Sequence, residues 1–216
     1  MKQLFTVAAC GLILLFSCQQ EEPRKANVIV VITDDQGYGD LGCHGNPYIL
    51  TPHLDHFSNE AVSFSNFHVS TTCAPTRGAL MTGRHTNRLN VYHTIAGRSL
   101  LYEDEIILPQ VFGSNGYQCG MFGKWHLGDN YPFRPEDRGF HEVVRHGGGG
   151  ISQLPDYWGN DYFDDTYWHN GEVEEYEGYC TDVFFEEAMR FIRENKDRPF
   201  FCYLSTNAPH GPLNVP

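Results

Sequence analysis

Apolar residues in this chain fall into short runs of differing period, which predict strands and helices in alternation. Residues 27–33 (Asn-Val-Ile-Val-Val-Ile-Thr) form a continuous β-branched run, the pattern of a strand buried on both faces of a parallel sheet. Thr51-Pro52 then opens a helix, with Thr51 as cap and Leu54, Phe57 and Ala61 as its apolar face. Residues 62–69 alternate and read as a strand feeding the next turn. There Thr71 and Thr72 are helix caps, Pro75 suits a first helical position, and Ala79, Leu80 and Met81 run on to a stop at Gly83. Residues 108–114 read as a helix ended by Gly116, and residues 117–122 as the following strand. From Arg138 to Asn170 the chain is rich in glycine and aromatic residues without clear periodicity, so a long loop is expected. Thr181 caps a helix reaching about Asn195 with Phe184, Ala188 and Phe191 on one face, and residues 199–205 form another buried strand. Repeated strand–helix units of this kind predict an α/β fold.

The ends of the chain add an address. Residues 1–17 carry one lysine, Lys2, ahead of an apolar run at residues 4–16, too short to span a bilayer and suited to a signal-peptide core. Leu15-Phe16-Ser17-Cys18 resembles a bacterial lipobox, which implies lipidation of Cys18, a polar tether over residues 18–26 and attachment to a membrane through the lipid alone. The expected location is the bacterial cell envelope, periplasmic or at the outer-membrane surface; an ordinary cleaved secretory signal is the other reading. The remaining residues, 27–216, amount to about one domain.

A formal net charge of −12 argues against nucleic acid as a partner. It also means that an anionic substrate needs a locally positive pocket on an acidic protein. Four of the seven cysteines, Cys43, Cys119, Cys180 and Cys202, show neither framework spacing nor a Cys-x-x-Cys pair, so no bridge can be assigned among them.

Candidate chemistry collects where the predicted strands end. Asp34-Asp35 follow the first strand at its carboxyl end, where open α/β sheets bind ligands, and adjacent carboxylates there suit a hard cation such as Ca²⁺, with Mg²⁺ second. An Asx turn leading into Gln36-Gly37 accounts for the same residues equally well. Cys73 falls at a helix N-terminus, where a thiolate or bound oxyanion is stabilised, and Arg77 lies four residues on, within reach of the same anion. Taken alone, such a cysteine reads first as a small buried hydrophobe. Lys124 and His126 are two apart, so in extended chain both point at one spot, where they can neutralise an anionic group and move a proton. Ser152, His146 and His169 receive no catalytic assignment.

Cys73-x-Pro75-x-Arg77 followed by Leu80-x-Thr82-Gly83-Arg84 resembles the signature of the formylglycine-dependent sulfatases, in which the cysteine is oxidised to an aldehyde. Thr76 and Met81 depart from the usual residues without touching the Cys, Pro and Arg. Asp34-Asp35-x-Gly37-x-Gly39-Asp40, Gly123-Lys124-Trp125-His126-Leu127-Gly128 and Pro209-His210 resemble three further elements of that family in the expected order. The resemblance implies an alkaline-phosphatase-like fold, a mixed, largely parallel sheet flanked by helices, and sulfuric ester hydrolysis through a formylglycine at position 73. It further implies a metal, Ca²⁺ before Mg²⁺, held by Asp34, Asp35 and residue 73. Arg77 would secure the nucleophile, Lys124 and His210 would meet the sulfate, and His126 would act as base. The partners implied are a sulfated small molecule or glycan and a formylglycine-generating maturation enzyme. A further Asp-x-Gly segment, a lysine and a smaller C-terminal domain have no counterpart here, so the expectation is the N-terminal part of a catalytic domain, incomplete at its C-terminus. A phosphonate or phosphodiester hydrolase of the same superfamily, and a lipoprotein that only binds sulfated glycan, are the alternatives.

Overall fold

The computed structural model describes residues 25–216, so the expectations for the signal peptide, for Cys18 and for most of the tether lie outside the described residues. Six strands form one mixed sheet in the order β1-β6-β2-β3-β4-β5, with β1 Val28–Ile32, β2 Gln118–Gly123, β3 Glu142–Arg145, β4 Thr166–His169, β5 Glu172–Glu175 and β6 Phe200–Ser205. The pairs β1/β6, β6/β2 and β2/β3 are parallel, whereas β3/β4 and β4/β5 are antiparallel. The α/β class and the mixed, largely parallel sheet expected from the sequence are therefore present.

All six residues of β6 are buried, as a central parallel strand requires. Phe201 and Tyr203 point into one core with Met121, Trp125 and Phe140, while Phe200, Cys202 and Leu204 point into a second with Phe122, Phe184 and Phe191. The first core is covered by helices α2 (Cys73–Thr82) and α4 (Leu108–Ser114), joined by the short α3 (Thr86–Leu89). The second lies under α5 (Cys180–Glu194), which packs on β2, β6 and β3.

Several expectations need correction. β1 is an edge strand among the described residues, and Ile29 and Val31 are about half exposed because α5 does not reach across that face. Residues 62–69 form no strand: Val62, Phe64, Phe67 and Val69 are all exposed, since an alternating pattern makes a ladder only where a neighbouring strand is available. Helix α1 (Pro52–Glu60) forms as predicted, yet Leu54 and Phe57 face outward. Thr51 makes no side-chain cap; its hydroxyl donates to Asp55 and accepts from the Gly42 N–H instead. Pro75 is the third residue of α2, not the first. α5 starts at Cys180, with Tyr179 and not Thr181 in the cap position. The stretch 138–170 holds two strands, β3 and β4, each only four residues long and therefore without a readable period. The five described cysteines are all free.

Candidate active site

Four chain segments bring the site residues together at the carboxyl edge of the parallel strands. Asp34 and Asp35 leave β1, Lys124 and His126 leave β2, His210 follows β6, and Cys73 opens α2 after its cap residue Thr72. They form two adjoining groups. Asp34, Lys124 and Arg77 make a buried network: Lys124 Nζ pairs with Asp34 Oδ2, and Arg77 Nη2 lies 3.5 Å from Asp34 Oδ1. Arg77 Nη1 also donates to the Lys124 carbonyl at 2.9 Å and to the Ser205 hydroxyl at the end of β6. Two cations around one carboxylate leave a local positive balance on an acidic chain, the condition an anionic substrate requires.

The second group faces an open cavity of about 390 Å³ whose walls include Asp35, Cys73, Thr94, His126, Gly149 and His210. Cys73 Sγ lies 3.2 Å from His126 Nδ1. His126 Nε2 lies 3.0 Å from the Thr94 carbonyl, which can only accept, so Nε2 carries the proton and the Nδ1 lone pair faces residue 73. Burial, followed by the charge of Lys124, lowers the His126 pKa to about 4, which keeps the ring neutral near pH 7. Asp35 is mostly exposed at the rim, with its Oδ2 3.7 Å from His210 Nε2.

Lys124 and His126 do not share a face as their spacing predicts. His126 has φ 58°, in the left-handed region, and this ends the extended run: Lys124 turns to Asp34 and His126 to Cys73. Asp35, at φ 62°, is in the same region. Side chains other than glycine in that conformation are uncommon and gather at functional sites. Arg77 likewise reaches past residue 73 to the Asp34 network.

Two contributors have no side-chain signature in the sequence. Thr94 acts through its carbonyl. Gly149 packs against the imidazole: a Cβ there would lie 2.6 Å from His126 Cε1 and 2.8 Å from Nε2, so a larger residue would displace the ring. His146 is fully buried behind the site. Its Nδ1 donates to the Gly147 carbonyl, its Nε2 has no hydrogen-bond partner, and burial lowers its pKa to about 3. His169 pairs instead with Glu142 and Glu174 at the sheet's far side.

Among the described residues, no cluster of three or more His, Cys, Asp or Glu side chains could enclose a metal. Asp34 and Asp35 are oxygen donors of the right chemistry for a hard cation, but two carboxylates fall short of the about six to eight oxygens that calcium takes. These donors therefore fit such an ion only in part.

The mixed six-stranded sheet flanked by helices is an alkaline-phosphatase-like fold. The sequence model of the Sulfatase family matches residues 26–216, and the chain belongs to that family. It is 31% identical to human (Homo sapiens) N-acetylgalactosamine-6-sulfatase over 88% of its own length and 41% of the relative's. It is 30% identical to N-acetylglucosamine-6-O-sulfatase of Bacteroides thetaiotaomicron, covering 96% of this chain and 35% of that one. The crystal structure of Ps i-CgsB in complex with k-i-k-neocarrahexaose superposes with a TM-score of 0.81 at 31% identity, over 89% of this chain and 47% of that one. The chain thus spans less than half the length of these relatives.

Proposed function

We propose that this chain carries the nucleophile half of a sulfuric ester hydrolase acting on a sulfated glycan or small molecule. The observation that carries the reading is the pair Cys73 and His126, with a neutral imidazole nitrogen 3.2 Å from the atom at position 73. A formylglycine made from Cys73 by a maturation enzyme fits this place, at a helix N-terminus inside a cavity. Its hydrate would supply two hydroxyls: one would attack sulfur, its proton going to the alcohol oxygen as the S–O ester bond breaks, and the other would lose its proton so that the C–O bond to sulfate breaks and the aldehyde re-forms. The chain's own residues do the rest. His126 Nδ1 accepts that proton, while Thr94 holds the ring in the tautomer that leaves Nδ1 free. Lys124 and Arg77 provide positive charge behind the sulfate, and His210 stands at the rim to meet the substrate oxygens. Asp34 and Asp35 would supply oxygen donors to Ca²⁺, or less favourably Mg²⁺, which when bound would polarise the sulfate. Export with a lipid on Cys18 belongs to the same reading and rests on the sequence alone.

The test is to purify the chain from its own host, weigh the peptide bearing residue 73, and measure sulfate release from an aryl sulfate beside cleavage of an aryl phosphodiester. The reading predicts an aldehyde at position 73 and sulfate release that Cys73→Ala abolishes. Unmodified cysteine with no release, or faster turnover of the phosphodiester, would overturn it.

A further inference from the structure

His126 is held by two backbone elements: the Thr94 carbonyl meets its Nε2, and Gly149 lies against the ring. Thr94 makes a hydrogen bond, but Gly149 only touches. It is one of four consecutive glycines, 147–150, the most conformationally free run a chain can contain. Something else must keep it against the imidazole.

The backbone just ahead of Gly149 is tied by three side chains. Asp156 Oδ1 accepts from the Gly147 N–H at 2.9 Å, His146 Nδ1 donates to the Gly147 carbonyl at 2.8 Å, and Asp129 Oδ1 accepts from the Gly148 N–H at 3.0 Å. The far end of the turn returns to the same carboxylate, for Asp156 Oδ2 accepts from the Ser152 N–H, also at 2.9 Å. Between these points the Gln153 N–H donates to the Gly150 carbonyl at 3.1 Å, and the Asp156 N–H to the Gln153 carbonyl at 2.8 Å. The turn is tight as well. Gly148 has φ 63° and Ser152 φ 64°, and a Cβ on Gly148 would come within 2.9 Å of the Leu154 carbonyl. A serine in the left-handed region persists only where its surroundings hold it there.

Asp156 stands at the centre of these ties. It is less than a tenth exposed, and besides the two backbone groups it accepts from Asn160 Nδ2 at 3.2 Å. Asn160 is fixed in turn to β4: its Nδ2 donates to the Thr166 carbonyl and its Oδ1 accepts from the Thr166 N–H, both at 2.9 Å. A continuous path of hydrogen bonds therefore runs from the sheet through Asn160 and Asp156 to Gly147, two residues from the one against the imidazole. Three N–H groups converging on one side chain require acceptors only, which a carboxylate supplies. An amide of the same shape would turn its own N–H₂ toward at least one of them.

We propose that Asp156 is a positioning residue for His126: by gathering both ends of the 147–152 turn it holds Gly149 against the imidazole and keeps Nδ1 aimed at residue 73. The inference rests on the hydrolase reading for its consequence in catalysis, but the contact itself can be observed without turnover. The test reads, in the labelled full chain at pH 7, the nuclear Overhauser effect between the Gly149 α-protons and the His126 ring proton on Cε1. The parent should show it and Asp156→Asn should lose it. Asp129→Ala, which releases the Gly148 N–H from a less buried carboxylate, should weaken it. Asn195→Ala is the control for a merely structural loss: it removes a buried tie to the Phe191 carbonyl at the C-terminal end of α5, and should lower the thermal midpoint while leaving the contact intact. In the matured enzyme Asp156→Asn should lower kcat on an aryl sulfate about 10- to 100-fold with KM nearly unchanged, the size of effect that misplacing a reacting group produces. Asn195→Ala should keep the parental kcat. Absence of the contact in the parent, its persistence in Asp156→Asn, or its equal loss in Asn195→Ala would overturn the proposal, as would a raised KM at unchanged kcat. Should Asp156→Asn fail to fold, an unweakened contact in Asp129→Ala would overturn it instead. A parent that shows the contact but no turnover of the aryl sulfate would count against the hydrolase reading, leaving the contact to judge the role of Asp156.

Discussion

The carboxyl edge of the sheet and the flank formed by residues 37–69 contain comparable sequence signals, and the structure treats them in opposite ways. At the edge, charged and polar groups are buried: Asp34, Arg77, Lys124, His126 and His146 are all below a tenth exposed. On the flank, Leu50, Phe57, Val62, Phe64 and Phe67 are mostly in solvent. Burying charge costs several kcal/mol per ion unless it is paired, and exposed apolar surface forgoes about 25 cal/mol per Å². The difference teaches that neighbours decide burial. Paired cations surround Asp34, whereas among the described residues nothing lies over the outer face of β1 or the apolar side of α1.

The largest effects should come from disturbing His126. A general base is worth about 10²- to 10⁴-fold in rate, so His126→Ala should lower kcat by that factor. Gly149→Val should approach the same loss without touching a reacting atom, because the added side chain occupies the imidazole's place. A Gly149→Val enzyme with parental kcat would show that the ring is not held there. Next comes the buried network. Asp34→Ala leaves Lys124 and Arg77 unpaired in the interior and should cost roughly 3–5 kcal/mol in urea unfolding. The matching change on the flank, Phe67→Ser, should stay within about 0.5 kcal/mol, since the ring is already exposed. Equal costs at the two positions would erase the contrast between the regions.

Acid should separate the regions as well. His126 and His146 have folded pKa values of about 4 and about 3, below the ordinary value near 6.5 of the unfolded chain. Between those limits the unfolded chain binds more protons, so the stability from both groups is complete above about pH 6.5 and is lost as pH falls toward 3. Each therefore steepens the fall in stability across its own window. Unfolding free energy followed from pH 7 to pH 4 should therefore fall, and His146→Leu should flatten part of that slope.

Much of this was legible in the chain. β2 and β6 are near-continuous apolar runs, and both lie in the sheet's interior as such runs should. Cys73, Asp34, Lys124 and His126 stand out by residue type and by position at strand or helix ends, and the fold brings them to one edge. The strands β3 and β4 escaped because four residues carry too little period to be read. The divergence of Lys124 and His126 escaped because residue spacing does not reveal a left-handed backbone at a histidine. Thr94 contributes a carbonyl, which every residue has, and nothing in a run of four glycines marks Gly149 as the one against the imidazole. On the flank the pattern was clear but its partner was not supplied, so alternation at residues 62–69 produced extended chain and no ladder.

A base at this site requires a neutral His126 whose bare Nδ1 faces residue 73. Nitrogen NMR on labelled protein, titrated from pH 8 to pH 3.5, reads both the tautomer and the pKa of that ring. A proton on Nε2 with a midpoint near pH 4 is the expected result. A proton on Nδ1, or a midpoint near 6.5, would mean that the ring is not held ready as a base for residue 73.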